Sequence, residues 1–223
     1  MKDSNNKNIT PSNTSRLLGM NISQDMSWTN HMLHGEKAVL PLCKKKLGAL
    51  YFIGRYYNTS IRMKLCNALI ISRLIYGIQI WGLYTPSLCN AAQIVQNQAA
   101  RWIFKLSKST KIIELLRVTN WLSIYQLTKF HSLLSLWKIV RLGKPERLLQ
   151  KLKHGHSQRR IRDERLQCER PRLQMTERRW RIDTIMEWNL LPAEIRSCTK
   201  PAQFRKRLRQ RILETVPIFH PGE

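Results

Sequence analysis

The side chains with the widest chemical repertoire in this 223-residue sequence are five cysteines, six histidines and 14 carboxylates. Cys43, Cys66, Cys89, Cys168 and Cys198 are separated by 23, 23, 79 and 30 positions, and no pair forms C-x-x-C. An odd number at such gaps argues against a zinc ribbon and against a disulfide framework; it fits small buried thiols in a reducing compartment. His31 and His34 are three apart and could share a helix face, and His154 and His156 flank Gly155 in a polar stretch. Neither pair has the further ligands that tetrahedral zinc needs at readable spacing, so no metal site is assigned.

The carboxylates are unevenly placed. Residues 1–140 hold Asp3, Asp25, Glu36 and Glu114 against 18 Lys and Arg, and between Lys37 and Ile113 there are twelve basic residues and no acidic one. Converging carboxylates are what hold Mg²⁺ for nucleotidyl transfer or hydrolysis, and this stretch cannot supply them. With 39 Lys and Arg against 14 Asp and Glu the formal net charge is +25, which points to a polyanionic partner. A hydrophobic fraction of 43% with seven Trp is too high for a disordered basic tail, so the chain is expected to fold, as one domain or two small ones.

Candidate phosphate contacts come from spacing. Gln93, Asn97, Arg101 and Lys105 recur at intervals of four and are followed by Lys108 and Lys111, a pattern that reads either as a solvated helix face or as a phosphate-backbone track. Arg62 and Arg73 are eleven apart and would project from nearly the same side of a helix. Arg205, Lys206, Arg207, Arg209 and Arg211 crowd the last helix and repel one another unless phosphates or carboxylates lie nearby. Trp28, Trp81, Trp102, Trp121, Trp137 and Trp188 could stack on bases, but their apolar spacing favours the core.

The elements that must position these residues read mainly as helix. Leu17-Leu18-Gly19-Met20-Asn21-Ile22 reads as one short strand whose pairing partners are expected upstream of Met1. Thr29 to Tyr56 has helical composition interrupted by Pro41, which should kink or split it. Thr59 or Ser60 can cap a core helix over about 61–81, with Ile61, Leu65, Leu69, Ser72, Tyr76 and Ile80 as its apolar surface. Pro86 or Ser87 starts an amphipathic helix with Leu88, Ala91, Ala92, Val95, Ala99, Trp102, Ile103 and Leu106 on one stripe. A short helix over 112–118 and a longer one over 123–142 follow, the latter stopped by Gly143 and restarted at Lys144-Pro145. Nine Arg between His154 and Arg181 mark a linker. Beyond it come a strand over 180–185, a Trp188-Asn189-Leu190-Leu191-Pro192 corner, and a helix over 201–214 capped by Thr199 and docked by Phe204, Leu208 and Ile212. The stretch from Leu65 to Tyr84 is 20 residues long but carries Arg73, leaving 11 charge-free residues, too few for a membrane span of ~20. Met1 to Ser15 has no apolar run, so no secretory signal is expected.

Three blocks in this order resemble the C-terminal region of the reverse transcriptases of non-LTR (LINE-type, jockey-like) retrotransposons. Leu18-Gly19-Met20-Asn21-Ile22 with Met26-Ser27-Trp28-Thr29-Asn30-His31-Met32 resembles the segment leaving the polymerase palm. Tyr76-Gly77, Trp81 and Val95-Gln96-Asn97-Gln98-Ala99-Ala100-Arg101-Trp102-Ile103 are similar to the helical, thumb-like region that follows. Trp188-Asn189-Leu190-Leu191-Pro192-Ala193-Glu194-Ile195-Arg196 and Phe204-Arg205-Lys206-Arg207-Leu208 look like the ending of these proteins. The palm of this family holds its metals with adjacent aspartates, and no Asp-Asp dipeptide occurs in this sequence.

The resemblance implies a mainly α fold. A helical thumb-like bundle over 29–153 would follow a disordered start and one palm-remnant strand over 1–28, with an Arg-rich linker over 154–179 and a small basic α(+β) part over 180–223. It implies a fragment of an RNA-directed DNA polymerase with no catalytic residue and no cofactor of its own, Mg²⁺ belonging to the palm. Its partners would be RNA or an RNA/DNA duplex, gripped through phosphates, and the upstream polymerase domains. Arg62, Arg73, Arg101, Lys105, Lys108, Arg205, Arg207, Arg209 and Arg211 are the candidate contacts. A free-standing, domesticated basic nucleic-acid-binding protein is the alternative, followed by a protein that lies on anionic membrane through 201–214. The expected location is intracellular, in nucleus or cytoplasm; Lys44-Lys45-Lys46 could pass as a nuclear signal but is read as simple solvation.

Overall fold

The computed structural model describes residues 12–35, 37–82, 85–153, 165–166 and 180–219; residues 1–11 of the start expected to be disordered over Met1 to Ser15, the His154/His156 pair and most of the Arg-rich linker lie outside them, whereas Thr14 and Ser15 belong to a strand. The fold is mainly helical, with a short two-stranded antiparallel sheet near the N-terminus. The chain divides into two compact units after Leu74, whereas the sequence reading divides it after 28, 153 and 179.

The first unit opens with a hairpin, not with a lone strand. Strand β1 (Thr14–Leu17) pairs with β2 (Met20–Ser23) in a register that sets Leu17 opposite Met20. Leu18 and Gly19, at φ 48° and 79°, form the two-residue loop. Both left-handed residues match the right-handed strand twist, so the apolar run expected as one strand turns back in its middle. The partner thus lies within the chain, immediately upstream. A π-helical turn (Asn30–His34) follows, and α1 spans Val39–Ile53. Pro41 does not split this helix, because it sits in the first turn, where the amide has no intrahelical acceptor. The interruption falls upstream, between His34 and Val39.

The expected 61–81 helix is instead four pieces: α2 (Thr59–Cys66), a π-helical turn (Asn67–Ile71), α3 (Ser72–Ile75) and, after Gly77 at φ 64°, α4 (Ile78–Trp81). The cap is Asn58, whose Oδ1 accepts from the Ile61 amide at 2.9 Å. In the first unit the buried stripe is Arg62, Cys66, Ile70 and Leu74, one residue out of phase with the expected one, and Ile61 is exposed. A spacing of four would drift around a pure α-helix; the wider π turn keeps these residues on one side.

In the second unit α5 (Pro86–Phe104), α6 (Ile112–Thr119) and α7 (Ile124–Leu142) lie close to the expected spans. Ser123 and Gln126 form a reciprocal capping box at the start of α7, and Gly143 ends it at φ 67°, a conformation that costs glycine little. Then come α8 (Glu146–Lys153), α9 (Trp180–Leu190), α10 (Ala193–Arg196) and α11 (Pro201–Thr215). The stretch 180–185, expected as strand, is the first part of α9, and none of the described residues of 180–219 is strand. Ile182, Ile185 and Trp188 recur every three residues and are all buried, a helical period that a strand would scatter over two faces.

α7 is the centre of this unit. Phe204 stacks on Trp137, with centroids 5.3 Å apart and planes at 20°, and also meets Trp188, tilted by 37° at 6.0 Å. Phe204, Leu208 and Ile212 dock α11 as expected, although the residue before the helix is Lys200, with no side-chain cap. The C-terminal helices therefore share one core with α7. The corner after α9 has its own ties: the Asn189 side chain donates to the carbonyl and accepts from the amide of Leu166, both at 2.8 Å. Buried Arg196 donates to the carbonyls of Leu191 and Asn189. Gly82 lets α4 approach α7, since a Cβ there would sit 2.5 Å from Thr128 Oγ1.

Candidate nucleic-acid interface

The basic residues selected by spacing meet different fates. In the first unit Arg62 is 4% exposed and its Nε donates to the Gly54 carbonyl at 3.0 Å, closing the turn that follows α1. It is a packing residue, and its charge is withdrawn from any phosphate. Arg73 is exposed on α3, so the two do not share a face; the π turn between them shifts the phase.

In the second unit the four-residue ladder on α5 faces inward at its beginning. Gln93, Gln96 and Asn97 are 4%, 0% and 5% exposed. Gln93 Nε2 donates to Gln96 Oε1 and Asn97 Oδ1, both at 2.8 Å. Gln93 Oε1 accepts from the Ile124 amide at 2.8 Å, and Gln96 Nε2 donates to the Leu122 carbonyl at 2.9 Å. These amides satisfy the backbone where α7 begins, a task the spacing alone did not reveal.

Arg101, the next rung, is half-buried. Its Nε and Nη2 donate to the carbonyls of Ser107 and Thr110, at 3.3 and 3.2 Å. That fork ties the 105–111 segment into a fixed loop, entered through Lys105 in the left-handed region at φ 53°. Lys105, Lys108 and Lys111 stand exposed on it, and none has an ion-pair partner among the described residues. On α11, Arg207 donates to the Glu194 carbonyl and Arg209 to the carbonyl and Oδ1 of Asn120. Both carry structural bonds on part of their donor forks. Arg205 is exposed and Arg211 half-buried. Burial, then the charges of Lys138 and Arg205, hold the His131 imidazole below its ordinary pKa, so it adds no charge at neutral pH.

Sequence reading missed a buried ionic cluster in this unit. Lys129, 6% exposed on α7, donates to Asp183 Oδ1 and Oδ2 at 3.2 and 3.0 Å and to Glu187 Oε1 at 3.0 Å. Burial alone would lower its pKa, but the carboxylates of Glu187 and Asp183 prevail and raise it. Asp183 and Glu187 are one helical turn apart in the sequence, a weak sign of a shared face, while nothing local marks Lys129 as their partner.

Burial pushes the Cys43 thiol up to about 11, despite the nearby charges of Arg73 and Lys46, and Cys66 up to about 12. Neither supplies thiolate at neutral pH. Among the described residues no three His, Cys, Asp or Glu side chains converge as a metal-binding group, and no helix is long and apolar enough to cross a membrane. Trp81, Trp102, Trp137 and Trp188 are buried, as their spacing indicated. No family model, curated protein or solved structure matches the chain.

Proposed function

We propose that this chain binds the phosphate backbone of RNA or of an RNA/DNA duplex without reading sequence, catalyses no reaction by itself, and is the post-palm part of a non-LTR retrotransposon reverse transcriptase. The observation that carries the binding reading is the Arg101-braced loop, which presents exposed Lys105, Lys108 and Lys111 with no ion-pair partner among the described residues. Fixed cations facing water attract phosphates, and contacts of this kind supply affinity and register, not base discrimination. The ordered sequence blocks support the ancestry. Membrane adsorption through α11 is disfavoured, because Phe204, Leu208 and Ile212 are already committed to the core.

The test is fluorescence anisotropy with labelled RNA/DNA hybrids of scrambled sequence, titrated across salt concentration. Six phosphate contacts give a log–log slope of about −5, and Lys105→Glu/Lys108→Glu/Lys111→Glu should reduce its magnitude by about 2 to 3. Salt-insensitive binding, or a slope unchanged in the triple variant, refutes the reading. Translation of the DNA upstream of the Met1 codon tests the ancestry separately, through the presence of palm sequence with paired aspartates, intact or decayed.

A further inference from the structure

We propose that a groove in the second unit, walled by α4, α7 and the start of α8, binds one monomeric anionic amphiphile: a single aliphatic chain with a phosphate or carboxylate head. The groove encloses about 490 Å³, within the range of ~300–1,000 Å³ usual for small-molecule sites. Its apolar walls are Ile80, Ile139, Pro145 and Leu148. Ile80 and Leu148 are 41% and 39% exposed, so large aliphatic surface stands in water inside a concavity.

Two cations, Lys138 and Lys144, line the same groove, and no carboxylate does among the described lining residues. Neither lysine has an ion-pair partner among the described residues. The remaining polar pair is engaged with itself, Ser135 Oγ donating to Gln79 Oε1 at 2.6 Å. The site therefore combines aliphatic walls with two cations. No described lining residue is aromatic, so a nucleobase would find no stacking surface. An alkyl tail against the aliphatic walls with an anionic head paired with the lysine ammonium groups satisfies both features. This assignment is independent of backbone binding by the 105–111 loop.

Isothermal titration calorimetry with octyl, nonyl and decyl phosphate, each below its micelle concentration, tests it. We expect one molecule per chain and affinity rising by up to about fourfold per methylene. Decyl maltoside and inorganic phosphate should bind at least tenfold more weakly than decyl phosphate. Lys138→Glu/Lys144→Glu changes two exposed positions and should weaken decyl phosphate at least tenfold; Leu148→Ser should also weaken it while leaving the lysines in place. Equal affinity for inorganic and alkyl phosphate, several molecules per chain, or indifference to both variants overturns the proposal. It is also overturned by retention on anionic vesicles without monomer binding, or by self-association that Leu148→Ser abolishes in a chain that takes no alkyl phosphate.

Discussion

Lys129 permits a prediction in which the order of two effects, not just their sign, is set by the structure. Its side chain is 7% exposed, whereas those of Asp183 and Glu187 are 34% and 32% exposed. Lys129→Met leaves two carboxylates that water can reach, so the expected loss is about 1–2 kcal/mol. Asp183→Asn/Glu187→Gln keeps amide oxygens within reach but removes both countercharges from an ammonium held largely away from water, with the Tyr125 ring 5.7 Å from Nζ. The expected loss is then about 3–5 kcal/mol. The variant neutral at all three positions should recover to within about 2 kcal/mol of the parent, since no uncompensated charge is left.

The pH dependence provides a second reading of the same reasoning. In the parent, Lys129 has a folded pKa above its unfolded value, so its contribution is present below about pH 10.4 and is lost as pH rises through the folded pKa. Removing both carboxylates leaves burial as the main influence and lowers the folded pKa below the unfolded one. The unfolded state then binds more protons, and stability rises with pH up to about 10.4. Urea unfolding followed by circular dichroism between pH 7 and 10 measures both. Equal losses in the two variants, or a double variant whose stability does not climb with pH, would show that the carboxylates do not hold this charge.

Three further outcomes follow from the packing. Phe204→Ala removes a fully buried ring that contacts both Trp137 and Trp188 and should cost about 3–5 kcal/mol in urea unfolding; a loss under about 1 kcal/mol would mean these aromatic contacts do not hold α11. Gln93→Leu removes the acceptor of the Ile124 amide and should cost about 1–3 kcal/mol, with hydrogen exchange at that amide accelerating at least tenfold; unchanged protection would break the link. In the first unit, burial and then the charge of Arg16 depress the His31 pKa, Nδ1 accepts from the Asn21 amide at 3.4 Å, and Nε2 has no hydrogen-bond partner among the described residues. Its stabilising effect is thus complete above about pH 6.5 and declines as pH falls toward the depressed folded value. Chemical shifts of the hairpin amides between pH 7 and 5 should report loosening, and His31→Leu should abolish that dependence; an equal response in the variant would assign it elsewhere.

Much of the second unit is legible from local pattern. The Phe204, Leu208 and Ile212 stripe, the Ser123 start and Gly143 stop of α7, and the burial of four tryptophans each rest on a rule that acts within one or two helical turns. The hairpin was hidden because Leu18 is a poor advertisement for a left-handed turn, and the split core helix because π turns leave no compositional mark. The Trp180 to Ile185 run is too short to show its period by itself; Ile182 and Ile185 fit a helix once Trp188 is counted with them.

By itself the sequence determined the helical character, the excess of positive charge and the shortage of carboxylates in its first 140 residues. Tertiary structure decided which charges remain at the surface. Arg62 closes a turn, Gln93, Gln96 and Asn97 satisfy the start of a later helix, and Lys129 meets acids 54 and 58 positions away, while Lys105, Lys108 and Lys111 stay in water. Composition gives the number of charges. Whether each is hydrated, neutralised or offered to a ligand depends on desolvation and on partners brought together by the fold, and neither is a local property of the chain.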